Sequence, residues 1–363
     1  MGADRRHARQ EALARVLEAE ELHGLLVTSR ANVRYLTGFS GSAALVVVTG
    51  ADVLLVTDFR YDEQAHAEAG EAARIVVEGT SVWERLFREL PSLGPLEWIG
   101  YEALLSVKDA ERFAQAGRAW RWKPTNDLVE RLRVSKDPGE VASIAEAAKL
   151  GNSALRATLE RVRAGMSELE ITGLLEGELR RLGSEGHPFP TIVASGPRTA
   201  LPHARSSKRA VGVGDWLLID FGAQVDGYCS DITRTVVVGA RATERQRTLY
   251  ELVRDAQLRA RSGVRAGLSG CDADALAREA IETRGFGAAF GHSLGHGIGL
   301  DIHEAPRLAK TNAEPLPVDA VVTIEPGVYV PGEGGVRIED DVHLSSAGPV
   351  LLTDGATELV ELV

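Results

Sequence analysis

LLIDFGAQVDGYCSDITR, residues 217–234, sets two apolar runs on either side of a turn that carries Gly222 and Gly227. The first run, Trp216 to Ile219, ends abruptly in Asp220, and the second opens at Asp231 and continues to Val238. Each is long enough for a strand. A hairpin of this kind lays the end of one strand beside the start of the next, so Asp220 and Asp231 converge. An aspartate that closes a strand or opens one is ordinarily a solvated turn residue. Asp220, however, follows four residues of buried type, and a carboxylate drawn out of water needs a cation or hydrogen-bond donors.

Composition bounds what such a pair can do. The chain has 363 residues, of which 44% are hydrophobic, enough for a sizeable core and about two domains. A net charge of −11 makes nucleic acid a poor partner. Cys229 and Cys271 suit neither a disulfide framework nor a cysteine zinc site, although one bridge stays open, and a cytoplasmic location is the simpler reading. The longest apolar run, Ala43 to Val48, is too short to span a bilayer. The N-terminal stretch MGADRRHARQEALARVLE reads as an amphipathic helix with no apolar signal core, so no membrane partner is expected.

Residues 1–130 alternate helix-like and strand-like segments. Leu13, Val16 and Leu17 line a helix face, and Gly24–Thr28, Ala43–Val48 and Val53–Val56 read as strands, which makes an α/β domain. Asn32–Gly41 between them reads as a polar loop. Pro138-Gly139 opens a new helix after a break near residues 125–138, so a second domain is expected over 131–363. That domain echoes itself. Val162-Arg163-Ala164-Gly165-Met166-Ser167 returns as Val264-Arg265-Ala266-Gly267-Leu268-Ser269, and Leu218-Ile219-Asp220-Phe221-Gly222 is matched in kind by Thr323-Ile324-Glu325-Pro326-Gly327. Two related halves would each offer an acid at a corresponding strand end.

The second half adds histidines. Gly291–Glu304 holds His292, His296 and His303, but glycines at 295, 297 and 299 argue against the helix that a zinc-binding i, i+4 pair requires. Gly334–Leu344 reads as one strand whose alternating face carries Arg337, Glu339 and Asp341. Taken together, several strand-end carboxylates and one imidazole form a set of hard donors that suits manganese, cobalt, zinc or ferrous iron. Carboxylates crowded in a partly dry cleft repel one another unless cations neutralise them. Two divalent ions sharing bridging carboxylates meet that demand and supply a hydroxide near neutral pH. The chemistry implied is metal-assisted hydrolysis.

LLIDFG, DGYCSDITRT, GHSLGHGIGLDIHE, TIEPGVYV and GVRIEDDV together resemble the signature of the Xaa-Pro peptidases, prolidase and aminopeptidase P, in the pita-bread metallopeptidase family. NVRYLTGFSGS and TDFRY are similar to the creatinase-type N-terminal domain of the same enzymes, so the resemblance covers nearly the whole chain. It implies an α+β fold: a pita-bread catalytic domain with an internal pseudo-twofold repeat, preceded by a smaller creatinase-like α/β domain. It implies two divalent metal ions (Mn, Co or Zn) on Asp220, Asp231, His296, Glu325 and Glu339, with Asp231 and Glu339 bridging. Glu325 is then the proton shuttle, and His303 stabilises the developing gem-diolate. His292 and His203 line the proline pocket, with His292 also counted among the catalytic groups. Arg337 is expected to meet a substrate carboxylate, and Tyr329 to pack.

An Xaa-Pro bond has no N–H for a protease to read, whereas a metal that polarises the carbonyl does not need one. The substrates implied are proline-containing dipeptides, as for a prolidase, with aminopeptidase P acting on longer peptides as the alternative. A non-catalytic binding module of the same fold would show substituted ligands, and this chain has all five. The family resemblance also implies a homodimer.

Overall fold

The computed structural model describes residues 5–115, 119–353 and 356–363. The chain parts into two compact units between Arg133 and Val134.

In the first unit six strands stand in the order Arg74–Glu78, Val53–Asp58, Ala44–Thr49, Gly24–Val27, Trp98–Glu102 and Arg121–Thr125. The three apolar runs of the sequence form the middle of this sheet because a strand covered on both faces needs no alternation; Gly24–Val27 is buried throughout. Leu26, Val47, Leu54 and Val56 pack with Leu86, Leu90 and Ile99 into its core. The expected N-terminal helix runs Arg6–Ala19 and buries Leu13 and Leu17, while its first residues, 1–4, lie outside the described ones. Asn32–Gly41 is not the loop its polar residues suggest, since Arg30–Thr37 is a helix. Its Val33 and Leu36 are buried three positions apart, and its polar groups are satisfied internally. The Asn32 amide donates to Glu102 at 2.7 Å and Glu130 at 2.6 Å, and the Thr37 hydroxyl to the Val33 carbonyl at 2.7 Å.

The second unit repeats one motif. Helices Pro138–Leu159 and Glu168–Leu182 lead into strands Ile192–Ser195, Trp216–Phe221 and Ile232–Val238. Helices Glu244–Gly263 and Gly270–Thr283 lead into Gly295–Gly297, Val321–Ile324 and Asp340–Ser345. The echo noticed in the sequence extends to single hydrogen bonds. Gly165 N donates to Val211 O and Gly267 N to Leu316 O, both at 2.8 Å, and the return bonds from Val211 N to Met166 O and from Leu316 N to Leu268 O are also 2.8 Å. Ser167 and Ser269 each cap the following helix with their side chains. Each half thus delivers a β-ladder whose end carries acids. This is the pita-bread fold behind a creatinase-type domain.

Gly334–Leu344 is two strands rather than one. Gly334–Arg337 pairs with Gly327–Val330, whereas Asp340–Ser345 pairs with Val321–Ile324. The chain breaks at Glu339, whose N–H goes to Thr233 O at 3.1 Å. Cys229 and Cys271 are both free, so the bridge left open does not form. No helix among the described residues is long and apolar enough to cross a membrane.

The turn after Asp220 is packed without slack: a Cβ on Gly222 would lie 2.2 Å from Ser230 O and 2.9 Å from Pro188 Cγ. Gly222→Ala should therefore destabilise the second unit by about 1–3 kcal/mol, the range of overpacked core substitutions. Chemical denaturation followed by tryptophan fluorescence checks this, and an unchanged midpoint would contradict it.

Candidate metal centre

The two ladders deliver the acids by register. Asp220 is the penultimate residue of its strand and stands opposite Thr233, which places Asp231 just beyond the same sheet end. In the other half Glu325 directly follows Val321–Ile324, and Glu339 directly precedes Asp340–Ser345. His296 lies within Gly295–Gly297, paired with Val321–Ile324 through Gly297 and Val322.

Donor atoms of Asp231, His296 and Glu339 lie within 4.8 Å of one another. Glu325 joins them: its Oε1 is 3.6 Å from His296 Nε2, which is 3.7 Å from Asp231 Oδ2. Asp220 stands at the edge of the group, where its Oδ2 accepts from Arg337 Nη2. Of the histidines outside this set, the His303 ring is 4.3 Å from that of His296, centroid to centroid. His292 Nδ1 is 3.9 Å from Glu325 Oε2. His203 is exposed on its loop, close enough for its charge to be felt by His292 and His303.

Crowding governs the electrostatics. Burial, and then the charges of Glu339, Asp220, Asp341 and Glu325, hold the Asp231 carboxyl well above the carboxylate range. Burial likewise lifts Glu325, with Glu339 adding to it and Arg337 opposing it. Glu339 is pushed up to about 8 by burial and by Asp220, against Arg337 and the Thr233 hydroxyl. Burial lowers His296 to about 4, so its ring is neutral near pH 7. The tautomer follows. His296 Nδ1 faces the Gly297 carbonyl at 3.0 Å, an acceptor only, so Nδ1 carries the proton and Nε2 turns a lone pair toward the carboxylates.

A neutral imidazole lone pair facing several carboxylate oxygens is an arrangement that only a cation or extra protons can satisfy. Asp220 Oδ1, Asp231 Oδ1 and Asp341 Oδ1 are buried and make no hydrogen bond among the described residues, although buried polar atoms nearly always find a partner. The donor set therefore fits a divalent metal on chemical grounds.

Two expectations change. Arg337, 3% exposed, is spent within the protein: Nε donates to Thr233 Oγ1 at 3.0 Å, Nη1 to the Tyr329 hydroxyl at 2.8 Å and Pro202 O at 3.2 Å, and Nη2 to Asp220. No edge of its guanidinium is left to take a substrate carboxylate in bidentate fashion. Tyr329, expected only to pack, links Arg337 to His292, whose Nε2 is 3.0 Å from its hydroxyl. Since His292 Nδ1 faces Ser293 O at 2.8 Å, Nε2 must accept and Tyr329 must donate. His292 thus has both ring nitrogens engaged.

Thr233 and Arg307 were missed. Thr233 donates to Glu339 Oε2 at 2.6 Å, and strand alternation from Asp231 could have placed it on the inner face. Asp341, which alternation already set on the face of Glu339, accepts from Asp231 N at 3.1 Å through Oδ2. Arg307 needed the register: it is the cross-strand partner of His296, so the two side chains leave the same face. It is exposed, forms no ion pair among the described residues, and is felt by both His296 and His303.

Residues 142–346 match metallopeptidase family M24, and residues 9–135 match the Creatinase/Prolidase N-terminal domain. The chain belongs to metallopeptidase family M24. It is 35% identical over 354 residues to the Xaa-Pro dipeptidase of Pyrococcus furiosus, covering 97% of this chain and 99% of that one. An Xaa-Pro dipeptidase structure from Bacillus anthracis superposes with a TM-score of 0.94 at 39% identity, over 98% of this chain and 100% of that one. The X-Pro aminopeptidase structure from Thermotoga maritima gives 0.89 at 36%, over 97% and 99%. The protein is accordingly an M24 metallopeptidase, and divalent metal use goes with the family.

The M24 centre makes stability depend on pH in a defined sense. The folded protein keeps protons on Asp231, Glu325 and Glu339 at pH values where the unfolded chain has released them. These acids bind more protons in the folded state, whereas His292 and His296, lowered from 6.5 to about 4, bind fewer there and oppose them below the ordinary histidine range. Above that range the acids alone remain, so metal-free stability falls as pH rises from about 7 through about 8. A cation takes the place of those protons and reverses the trend. Melting curves of chelator-treated protein from pH 7 to pH 8, with and without manganese, test this. A metal-free melting temperature that climbs across that window would contradict it.

Proposed function

We propose that this M24 metallopeptidase hydrolyses the Xaa-Pro peptide bond, with Xaa-Pro dipeptides as preferred substrates. The observation that carries the reading is the meeting of Asp231, His296 and Glu339 with an exposed, unpaired arginine beside them. That arginine is Arg307, across the ladder from His296, and it offers a free guanidinium to a substrate's terminal carboxylate. The likeness to Xaa-Pro dipeptidases of Pyrococcus furiosus and Bacillus anthracis points the same way. The likeness to the Thermotoga maritima X-Pro aminopeptidase keeps longer peptides as the second reading. Both cysteines being free accords with a cytoplasmic enzyme, and we carry forward the homodimer that the sequence resemblance implies.

In this reading Asp220, Asp231, His296, Glu325 and Glu339 would hold two divalent ions, with Asp231 and Glu339 assigned to serve both. Bound there, the ions supply a Lewis acid and a hydroxide near neutral pH. The residues of the chain do the rest. Glu325, beside His296 in the cluster, is assigned as the group that carries a proton to the departing proline nitrogen. His303, its pKa lowered by burial and Arg307, is neutral near pH 7 and directs an N–H at the carbonyl oxygen as negative charge grows there. His292 presents its ring face to the proline ring, held in that attitude by Tyr329 and Ser293. His203 closes the pocket from the other side. Arg337, buried against Asp220, Tyr329 and Thr233, orders the ligand cluster from behind.

Replacing Asp231 or Glu339 by Ala should remove both ions together, because each is assigned as a bridge. Metal analysis after gel filtration reads this directly, and two tightly held ions in either variant would refute the bridging assignment. Arg307→Met should raise KM for Ala-Pro by about 10- to 100-fold, the loss of a charge-assisted bidentate contact. It should do much less to Ala-Pro-Ala. Equal effects on the two substrates, or a wild-type preference for the tripeptide, would move the assignment to aminopeptidase P.

A further inference from the structure

The pseudo-twofold relating the halves of the second unit also relates two loops. Ser167 bridges to Ala210 in one half, and Ser269 bridges to Pro315 in the other. Inside these matched closures run residues 196–208, which carry His203, and residues 298–303, which carry His303 and lead into the strand Glu304–Leu308. Each loop is held from outside by a buried charge.

For the first loop the charge is Glu168, in the opening turn of the Glu168–Leu182 helix and wholly buried. Its Oε1 accepts from Ser195 N at 2.9 Å and Ser195 Oγ at 2.8 Å. Its Oε2 accepts from Ser207 N at 2.9 Å and Ser207 Oγ at 2.6 Å. Ser195 and Ser207 are the two feet of the loop. Arg198, within it, sets its Nε 3.2 Å from both carboxylate oxygens and donates onward from Nη2 to Arg205 O at 2.6 Å. One carboxylate therefore closes the loop at both ends and braces its middle.

The second loop cannot use the same device. The position matching Glu168 is Gly270, where a Cβ would lie 2.4 Å from Arg307 O. The charge comes instead from Lys136, whose side chain is 1% exposed and whose Nζ meets Glu304 Oε1. Glu304 is the neighbour of His303 in sequence. The same Nζ also donates to Val134 O at 3.3 Å.

Glu168 and Lys136 are both buried charges, although Arg198 on the first is half-buried while Glu304 on the second is buried with its partner. Charges this deep are poorly explained by stability, since apolar residues of equal volume in their place are commonly neutral or better. What such a pair does supply is a fixed position for whatever is attached to it. We propose that Glu168 and Lys136 are positioning residues, each locking through its buried charge the loop that presents one histidine, His203 or His303, to the substrate. The inference rests on the Xaa-Pro peptidase reading. The two loops then act on different quantities. His203 lines the pocket for bound substrate, so loosening its loop weakens binding. His303 meets charge that exists only in the transition state, so loosening its loop slows turnover.

The test uses the full-length, metal-loaded protein and the variants Glu168→Gln and Lys136→Met. Steady-state kinetics on Ala-Pro should show KM raised about tenfold or more with kcat within about threefold for the first, and kcat lowered about tenfold or more with KM within about threefold for the second. Hydrogen exchange should quicken in 196–206 alone for Glu168→Gln and near 298–306 alone for Lys136→Met, with metal content unchanged. Wild-type kinetics in both variants would overturn the proposal. So would kcat and KM altered alike in both, or exchange quickened across the whole unit together with metal loss. If either variant does not fold, Arg198→Gln and Glu304→Gln break the same pairs from the loop side and must show the same split. A wild-type protein inert on every Xaa-Pro substrate would end the peptidase reading. The exchange data would still decide whether Glu168 and Lys136 hold the loops.

Discussion

The second unit is organised around a repulsion. Asp231, Glu325, Glu339 and Asp341 are buried near enough to raise one another's proton affinity, with Asp220 adding its charge to the first three of them. Gathering acids out of water costs folding free energy unless positive charge arrives with them. The surrounding structure can be understood as what makes that gathering tolerable. Arg337 lies against Asp220, Thr233 donates to Glu339, and a backbone N–H is spent on Asp341. Behind them Arg234 and Asp340 pair in the core, with Arg234 also donating to Glu339 O at 2.6 Å. What remains unsatisfied, three buried carboxylate oxygens and an imidazole lone pair, is the chemical demand that a divalent metal meets.

Duplication explains how so many acids reach one place. Each half builds a ladder with one acid just inside or beyond the end of a strand and another just before the next, Asp220 with Asp231 and Glu325 with Glu339. Two such ladder ends brought together give a nearly symmetric cluster. Catalysis needs asymmetry, and it enters through residues that break the repeat. His296 and its partner Arg307 belong to the second half alone. Glu168 has Gly270 as its counterpart, so the two histidine loops are secured by different charges.

Much of this was legible in the chain because the relevant signals are local. Apolar runs that end in an acid marked the strands at Trp216–Phe221 and Val321–Ile324. The repeated Val-Arg-Ala-Gly segments marked the duplication, and glycines at 295, 297 and 299 ruled out a helix around His296. Local reading failed where polar side chains are satisfied by distant partners. Asn32 looks like a loop residue until Glu102 and Glu130 are seen to hold it inside a helix. Arg337 looks like a substrate-binding arginine until Asp220, Thr233, Pro202 and Tyr329 are found to occupy it. Gly334–Leu344 alternates as one strand should, yet its halves pair with different partners.

The sequence by itself determined which chemistry is present. Carboxylates with a neutral imidazole, in an order and spacing typical of one peptidase family, specify hard divalent metals and hydrolysis, because donor type and strand-end position are properties of short segments. Only the tertiary structure decided which charged group is free and which is consumed. Whether an arginine meets substrate or its own protein depends on partners more than a hundred positions away in the chain, as with Arg337 and Asp220. That information exists only once register and burial have set every donor against its acceptor.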